Sequence, residues 1–185
     1  MLAIADSCGF DEFVAGGHSM GCATSLYAGL KAPDRIKALI LMNPPTAWES
    51  RATQGDLYQR MAAMVEKSGI NTLVQLFKAY PAIPPWQLAE RPELNSYFLD
   101  SVRQFDPEQL AVILRGAKLC DFPSYEALKQ LTVPTLIFCW IDDPTHPIET
   151  AAILSNLIPN CQLIYARNMT DVARWSKLIQ DYLSK

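Results

Sequence analysis

Five residues, Gly17-His18-Ser19-Met20-Gly21, constrain this chain more than any other stretch. They stand between an apolar run, Phe13-Val14-Ala15, and a segment of small and apolar residues, 22–32, that reads as a buried helix. A chain that passes from strand to helix in so few residues holds its middle residue in a strained backbone conformation. Side chains two positions either side would collide there, so the spacing Gly17-x-Ser19-x-Gly21 predicts that glycine is needed at both places. The serine at the apex then stands at the carboxyl edge of a sheet and over a helix N-terminus, where peptide N–H groups stabilise negative charge. Ser19 is the candidate nucleophile, and the N–H of Met20 is the candidate oxyanion donor.

Taken in order, the chain alternates strand and helix. Residues 1–8 have helical spacing (Leu2, Ile4, Ala5) and stop at Gly9. Residues 12–15 form the strand before the turn, continuous in hydrophobicity and so expected to be covered on both faces. The helix after Ser19 ends at Pro33-Asp34, and residues 36–42 form a second strand closed by Asn43-Pro44-Pro45. Residues 46–131 then change to helical periodicity, with Leu57, Met61, Met64 and Val65 in one group and Leu73, Leu76 and Phe77 in the next. Asp106-Pro107-Glu108 has good helix-start chemistry. Residues 133–140 are a third strand, Pro147 opens a helix, residues 161–165 are a fourth strand, and residues 171–183 form one closing amphipathic helix. The pattern predicts an α/β architecture with a parallel sheet.

Three stretches together resemble the α/β-hydrolase fold family. Gly17-His18-Ser19-Met20-Gly21 resembles its nucleophile elbow, and Arg35-Ile36-Lys37-Ala38-Leu39-Ile40-Leu41-Met42-Asn43-Pro44-Pro45 resembles its next strand and the exit into its cap. Val133-Pro134-Thr135-Leu136-Ile137-Phe138, followed by Asp142-Asp143-Pro144-x-x-Pro147, resembles its acid-bearing strand and loop. The likeness covers nearly the whole chain but corresponds to the later part of the family's usual length. It implies a partial hydrolase core at residues 1–45 and 132–185, and a helical cap or lid inserted at 46–131. It also implies four parallel strands in sequential order, with the strand before Ser19 at an open edge.

A serine hydroxyl needs a base within hydrogen-bond reach and a carboxylate that sets the tautomer of that base. Asp142 and Asp143 are the acid candidates. In the resembled family the acid stands three residues after a glycine, whose place Trp140 takes here, and that register selects Asp143. The base is not where the resemblance puts it: the segment after the last strand, Tyr165-Ala166-Arg167-Asn168-Met169-Thr170-Asp171, holds no histidine. Only His18 and His146 are available. His18 adjoins the nucleophile, on a turn that directs neighbouring side chains apart, and is expected to pack under it. His146 lies on the acid loop at the carboxyl edge, either as the base for Ser19 or as an ordinary solvated residue before a helix. The resemblance also implies a second oxyanion donor on an earlier loop, for which this chain has no counterpart.

Composition sets the outer bounds. With 185 residues, half of them hydrophobic and 19% charged, the chain can bury a core as one domain with an insertion. A net charge of −3 argues against nucleic acid and anionic membrane surfaces as partners. No apolar run reaches the length of a membrane span, and Met1-Leu2-Ala3 starts without a basic segment, so no signal peptide is expected. Five dispersed cysteines (Cys8, Cys22, Cys120, Cys139, Cys161) read as buried reduced thiols, which points to the cytoplasm. No metal or organic cofactor is expected. The expected activity is hydrolysis of an ester or related acyl bond on a small molecule. Two alternatives stay open: a hydrolase-like binding domain that has lost its base, and an inactive truncated product of a longer hydrolase. An open apolar edge strand also predicts self-association.

Overall fold

The computed structural model describes residues 1–184. The chain divides into two compact units, one of residues Met1–Ala47 with the chain from Asp121 onward, the other Trp48–Cys120.

The first unit contains α1 (Leu2–Ser7), β1 (Phe13–His18), α2 (Met20–Lys31) and β2 (Ile36–Met42) before the second unit begins. The second unit contains α3 (Arg51–Ser68), α4 (Ile70–Ala79), α5 (Pro85–Glu90), α6 (Glu93–Arg103) and α7 (Pro107–Leu119). The chain then returns to the first unit with α8 (Tyr125–Lys129), β3 (Thr135–Trp140), α9 (Ile148–Leu157), β4 (Cys161–Ala166), α10 (Met169–Ala173) and α11 (Trp175–Leu183).

The four strands form one parallel sheet in the order β1-β2-β3-β4, as the family resemblance implies. The two inner strands are nearly continuous apolar runs, and Leu39, Leu41, Leu136, Ile137 and Phe138 are all but inaccessible. That composition suits strands covered on both faces. One face carries Ile40, Leu136 and Phe138 against Trp175, Val172, Leu178 and Ile179 of the last two helices. Helix α2 packs on β1 and β2, and α9 packs on β3 and β4.

Register decides where function can sit. His18 pairs with Met42, Met42 with Phe138, and Trp140 with Ala166. β1 and β2 thus end level, and β3 runs on past them to Trp140. The residues that follow the three strands (Ser19, Asn43 and the loop from Ile141) leave the sheet along one edge.

Two expectations about this unit are corrected. β1 is not covered on both faces: its burial alternates and Val14 is 40% exposed, with α2 packed against the strand from one side. The closing segment is two helices rather than one. The break falls at Arg174, whose N–H bonds Asp171 O three residues back, where a continuous α-helix would bond four back.

In the second unit, Met61, Val65, Leu73, Val74, Leu99, Val102 and Leu110 form a core of their own. Asp106 caps α7 by accepting the Gln109 N–H at 2.9 Å, with Pro107 at the first helical position. Arg51 is buried at the opposite end of α7. Its Nε–H donates to Cys120 O at 2.7 Å and its Nη2 donates to Ala117 O, so the guanidinium occupies carbonyls that the helix end leaves without intrahelical donors.

No helix among the described residues is long and apolar enough to cross a membrane. All five cysteines are free, and Cys22 and Cys139 are buried as expected, whereas Cys8, at the end of α1, is exposed.

Candidate active site

Ser19 is held in the strained conformation that a strand-to-helix reversal demands, with φ 55° and ψ −119°. A non-glycine residue at positive φ costs about 1–3 kcal/mol and persists only where its surroundings over-determine it. Here they do. The Ser19 N–H donates to Met42 O at 3.0 Å, and Ser19 O accepts from the Cys22 N–H at 2.9 Å, opening α2. The Cys22 thiol lies 3.3 Å from both Gly17 O and Met42 O. Burial pushes that thiol up to about 12, so it remains protonated beneath the turn.

The two flanking glycines are not equivalent, contrary to the expectation from spacing. A Cβ added at Gly17 would stand 2.4 Å from Gly21 C and 2.5 Å from Gly21 O, which is impossible without moving backbone. A Cβ added at Gly21 would meet nothing within 4 Å. Gly17 lies under the turn and Gly21 lies on the outer side of α2's first turn.

Met20 is the first residue of α2, so its N–H is one of the helix-start donors that no intrahelical acceptor can reach.

Across the edge, the loop after β3 carries both remaining residues. Asp142 has φ 60° and is exposed, and this left-handed step turns Asp143 inward, where it is 6% exposed. Asp143 Oδ1 accepts the N–H of Thr145 at 2.9 Å and of His146 at 3.2 Å, closing the loop on itself. Asp143 Oδ2 lies 2.8 Å from His146 Nδ1, and His146 Nε2 lies 2.9 Å from Ser19 Oγ. Ser19, His146 and Asp143 are therefore in one hydrogen-bonded line, although 127 residues separate the serine from the histidine. With the carboxylate ionised, Nδ1 carries the proton and Nε2 faces the hydroxyl as an acceptor.

Burial pushes the Asp143 carboxyl up, but the bond and charge of His146, the Trp140 indole and the Thr145 N–H together outweigh it. The carboxyl sits below the ordinary 3.8. A depressed carboxyl contributes stability that is present above the unfolded value and is lost as pH falls through the lower folded one.

His18 is not under the turn. It ends β1 with its ring 5.4 Å from that of His146 and 6.0 Å from that of Trp140, centroid to centroid. Desolvation first, and then the neighbouring His146, lower its pKa from the ordinary 6.5, against a smaller upward pull from Asp143. His18 is therefore a neutral imidazole at pH 7. Its preference for the neutral form weighs against the fold only below pH 6.5, where the unfolded chain takes up the proton more readily.

Among the described residues no group of three or more His, Cys, Asp or Glu side chains could hold a metal ion. An open cavity of about 480 Å³ lies beside the acid loop against Asp142, Pro144, Pro147 and Glu149; Ser19 and His146 do not line it.

Residues 1–168 match the alpha/beta hydrolase fold family. The chain belongs to the alpha/beta hydrolase fold family. A relative named "Putative carbamate hydrolase RutD", from Klebsiella pneumoniae (strain 342), is 26% identical over 194 residues, covering 100% of this chain and 70% of the relative. Among solved structures, MenH from S. aureus superposes with a TM-score of 0.78 at 26% identity, covering 98% of this chain and 71% of that one. A thermophilic esterase from Thermogutta terrifontis superposes with a TM-score of 0.81 at 22% identity, over 98% of this chain and 68% of the esterase. The last of these speaks for the fold alone.

Within this alpha/beta hydrolase, sequence reasoning missed two residues at the site. Asn43 reads from the sequence only as the end of a strand. In the fold it is fully buried at φ 49°, and its Oδ1 accepts the Trp140 N–H at 3.1 Å. Trp140 reads only as the occupant of a place the family gives to glycine. Its indole Nε1–H donates to Asp143 Oδ2 at 2.7 Å. The signal for Trp140 was present: an indole donor three residues before a carboxylate, across a tight loop.

Proposed function

We propose that this chain is a serine hydrolase of ester or related acyl bonds, with Ser19 as nucleophile, His146 as base and Asp143 as the acid that orients it. The observation that carries this reading is the pair of bonds His146 Nε2 to Ser19 Oγ, 2.9 Å, and His146 Nδ1 to Asp143 Oδ2, 2.8 Å. Ser19 Oγ attacks the carbonyl carbon as His146 Nε2 takes its proton, and the oxyanion that forms is held by the Met20 N–H. His146 then returns the proton to the leaving group, leaving an acyl-serine that water hydrolyses by the same exchange. The substrate is a small molecule. The relative named for carbamate hydrolysis brings carbamates into the class of bonds considered.

The reading predicts that a fluorophosphonate probe labels the chain at Ser19, identified by peptide mass spectrometry, and that Ser19→Ala abolishes labelling. Labelling that persists unchanged in Ser19→Ala would remove Ser19 from the mechanism.

The same reading keeps self-association as a property of the chain. β1 lies at the end of the sheet with Val14 exposed, and lacks the charged side chains that blunt natural edges. We expect the chain to associate with a second copy of itself at micromolar concentration. Sedimentation that returns a stable, well-dispersed monomer refutes this.

A further inference from the structure

We propose that Trp140 is a positioning residue, whose indole N–H ties the loop-borne Asp143–His146 pair to the sheet and so keeps it in register with Ser19. The proposal rests on the hydrolase reading above.

Acid and base here lie on one short loop, three residues apart. Three of the four bonds to the Asp143 carboxylate come from that loop: the N–H groups of Thr145 and His146 on Oδ1, and His146 Nδ1 on Oδ2. These bonds fix the pair internally but say nothing of where the loop stands relative to β1 and Ser19. The fourth bond, from Trp140 Nε1–H to Oδ2 at 2.7 Å, is the one that reaches a strand, because Trp140 is the last residue of β3. Trp140 is itself held from two directions. Asn43 Oδ1, at the end of β2, accepts its backbone N–H at 3.1 Å, and its ring stacks on Trp175 at 5.9 Å with 16° between planes. The line therefore runs from Asn43, the residue after β2, through Trp140 at the end of β3, to Asp143, His146 and Ser19.

A triad whose acid and base sit on separate elements has each anchored separately. Here the loop backbone is tied outside itself, by the Thr46 N–H on Thr145 O at 3.1 Å and the Ile141 N–H on Ala166 O at 3.2 Å. The bond that fixes the carboxylate itself to the sheet is the one from Trp140, and catalysis is sensitive to displacements of about 1 Å in such groups. The indole also fills an acceptor site on the carboxylate. Without it the remaining partner of Oδ2, His146 Nδ1, receives more of the carboxylate's negative charge.

The test compares Trp140→Phe with Trp175→Phe on a short p-nitrophenyl ester, with Ser19→Ala and His146→Ala in parallel. Trp140→Phe keeps an aromatic ring against Trp175 and loses the donor together with one ring of the indole. Its expected result is a kcat lower by about tenfold or more, the equivalent in rate of one hydrogen bond to a charged group, with KM within about twofold. The acid limb of kcat/KM should also move to higher pH, because the freed carboxylate stabilises the imidazolium more strongly. Trp175→Phe perturbs the same stack and leaves the bond, so kcat and the acid limb should stay in place. If Trp140→Phe does not fold, benzothienylalanine placed at position 140 keeps the bicyclic shape and lacks the N–H, and the same losses are expected. Wild-type kcat and pH profile in the Trp140 variant, with Ser19→Ala and His146→Ala inactive, overturn the proposal and leave the hydrolase reading intact. Equal losses in Trp140→Phe and Trp175→Phe overturn it in favour of packing. Full activity in Ser19→Ala or His146→Ala overturns both.

Discussion

Replacing His146 by alanine is expected to lower kcat on a short p-nitrophenyl ester by at least about 10²-fold, the lower end of what a positioned general base contributes. The geometry argues for a larger loss. His146 Nε2 is 2.9 Å from Ser19 Oγ, and no other imidazole bonds that hydroxyl among the described residues. His18 does not compensate, because it ends β1 with its ring 5.4 Å from that of His146. Asp143→Asn should cost roughly 10³-fold or more, since an amide in place of the carboxylate no longer selects the tautomer that leaves Nε2 free to accept. Asp142→Asn should stay near wild type, because Asp142 is exposed and serves the loop through its backbone. Steady-state kinetics on these three variants, with Ser19→Ala and wild type alongside, checks the order. If His146→Ala matches wild type while Ser19→Ala is dead, the base lies elsewhere. If Asp142→Asn is the more damaging of the two aspartate variants, the register of the acid loop is wrong.

Gly17→Ala is expected to destabilise the first unit by about 3 kcal/mol or more, whereas Gly21→Ala should lie within about 1 kcal/mol of wild type. The contrast follows from where each Cβ would point. At Gly17 it would lie 2.4–2.6 Å from three backbone atoms of Gly21, and no side-chain rotation relieves that clash. The turn must open, and with it the bonds that hold Ser19 at φ 55°, so loss of fluorophosphonate labelling should accompany the loss of stability. At Gly21 the new methyl stands clear, and alanine is the better helix former. For a chain of this size a change of 3 kcal/mol lowers Tm by roughly 6–12 °C. Thermal unfolding of the two variants decides it, and equal midpoints would show that the backbone of the turn yields more easily than its geometry allows.

The contrast between the two glycines also marks a limit of sequence reading. The pattern Gly17-x-Ser19-x-Gly21 is legible as a turn, because a chain reversal in five residues is a local matter of backbone sterics. Which glycine the turn cannot do without depends on the side of α2 each one faces, and that is decided only once helix and strand are packed.

The same division runs through the site. Continuous apolar runs in β2 and β3, caps at Asp106, and the prolines that end elements are written in neighbouring residues, so the α/β class could be read directly, whereas the order of strands came from the resemblance to the family. Ser19 could be named as a candidate because its turn is short and self-contained, and Asp143 was chosen over Asp142 by the register of the resembled family. The role of His146 was open, since nothing near it in the chain distinguishes a base from a solvated residue before a helix. The parallel register of β1, β2 and β3 is what brings the two together: it sets the carboxyl ends of strands far apart in sequence along one edge, and His146 Nε2 arrives 2.9 Å from Ser19 Oγ. Trp140 was hidden for the same reason. Its identity was plain, but an indole donor becomes an anchor only when the loop folds back over its own strand, the backbone N–H of Trp140 is held by Asn43 and its ring by Trp175 of α11. Local chemistry determined the parts. The alignment of strands through long-range hydrogen bonding, which no stretch of the sequence contains by itself, decided which parts meet.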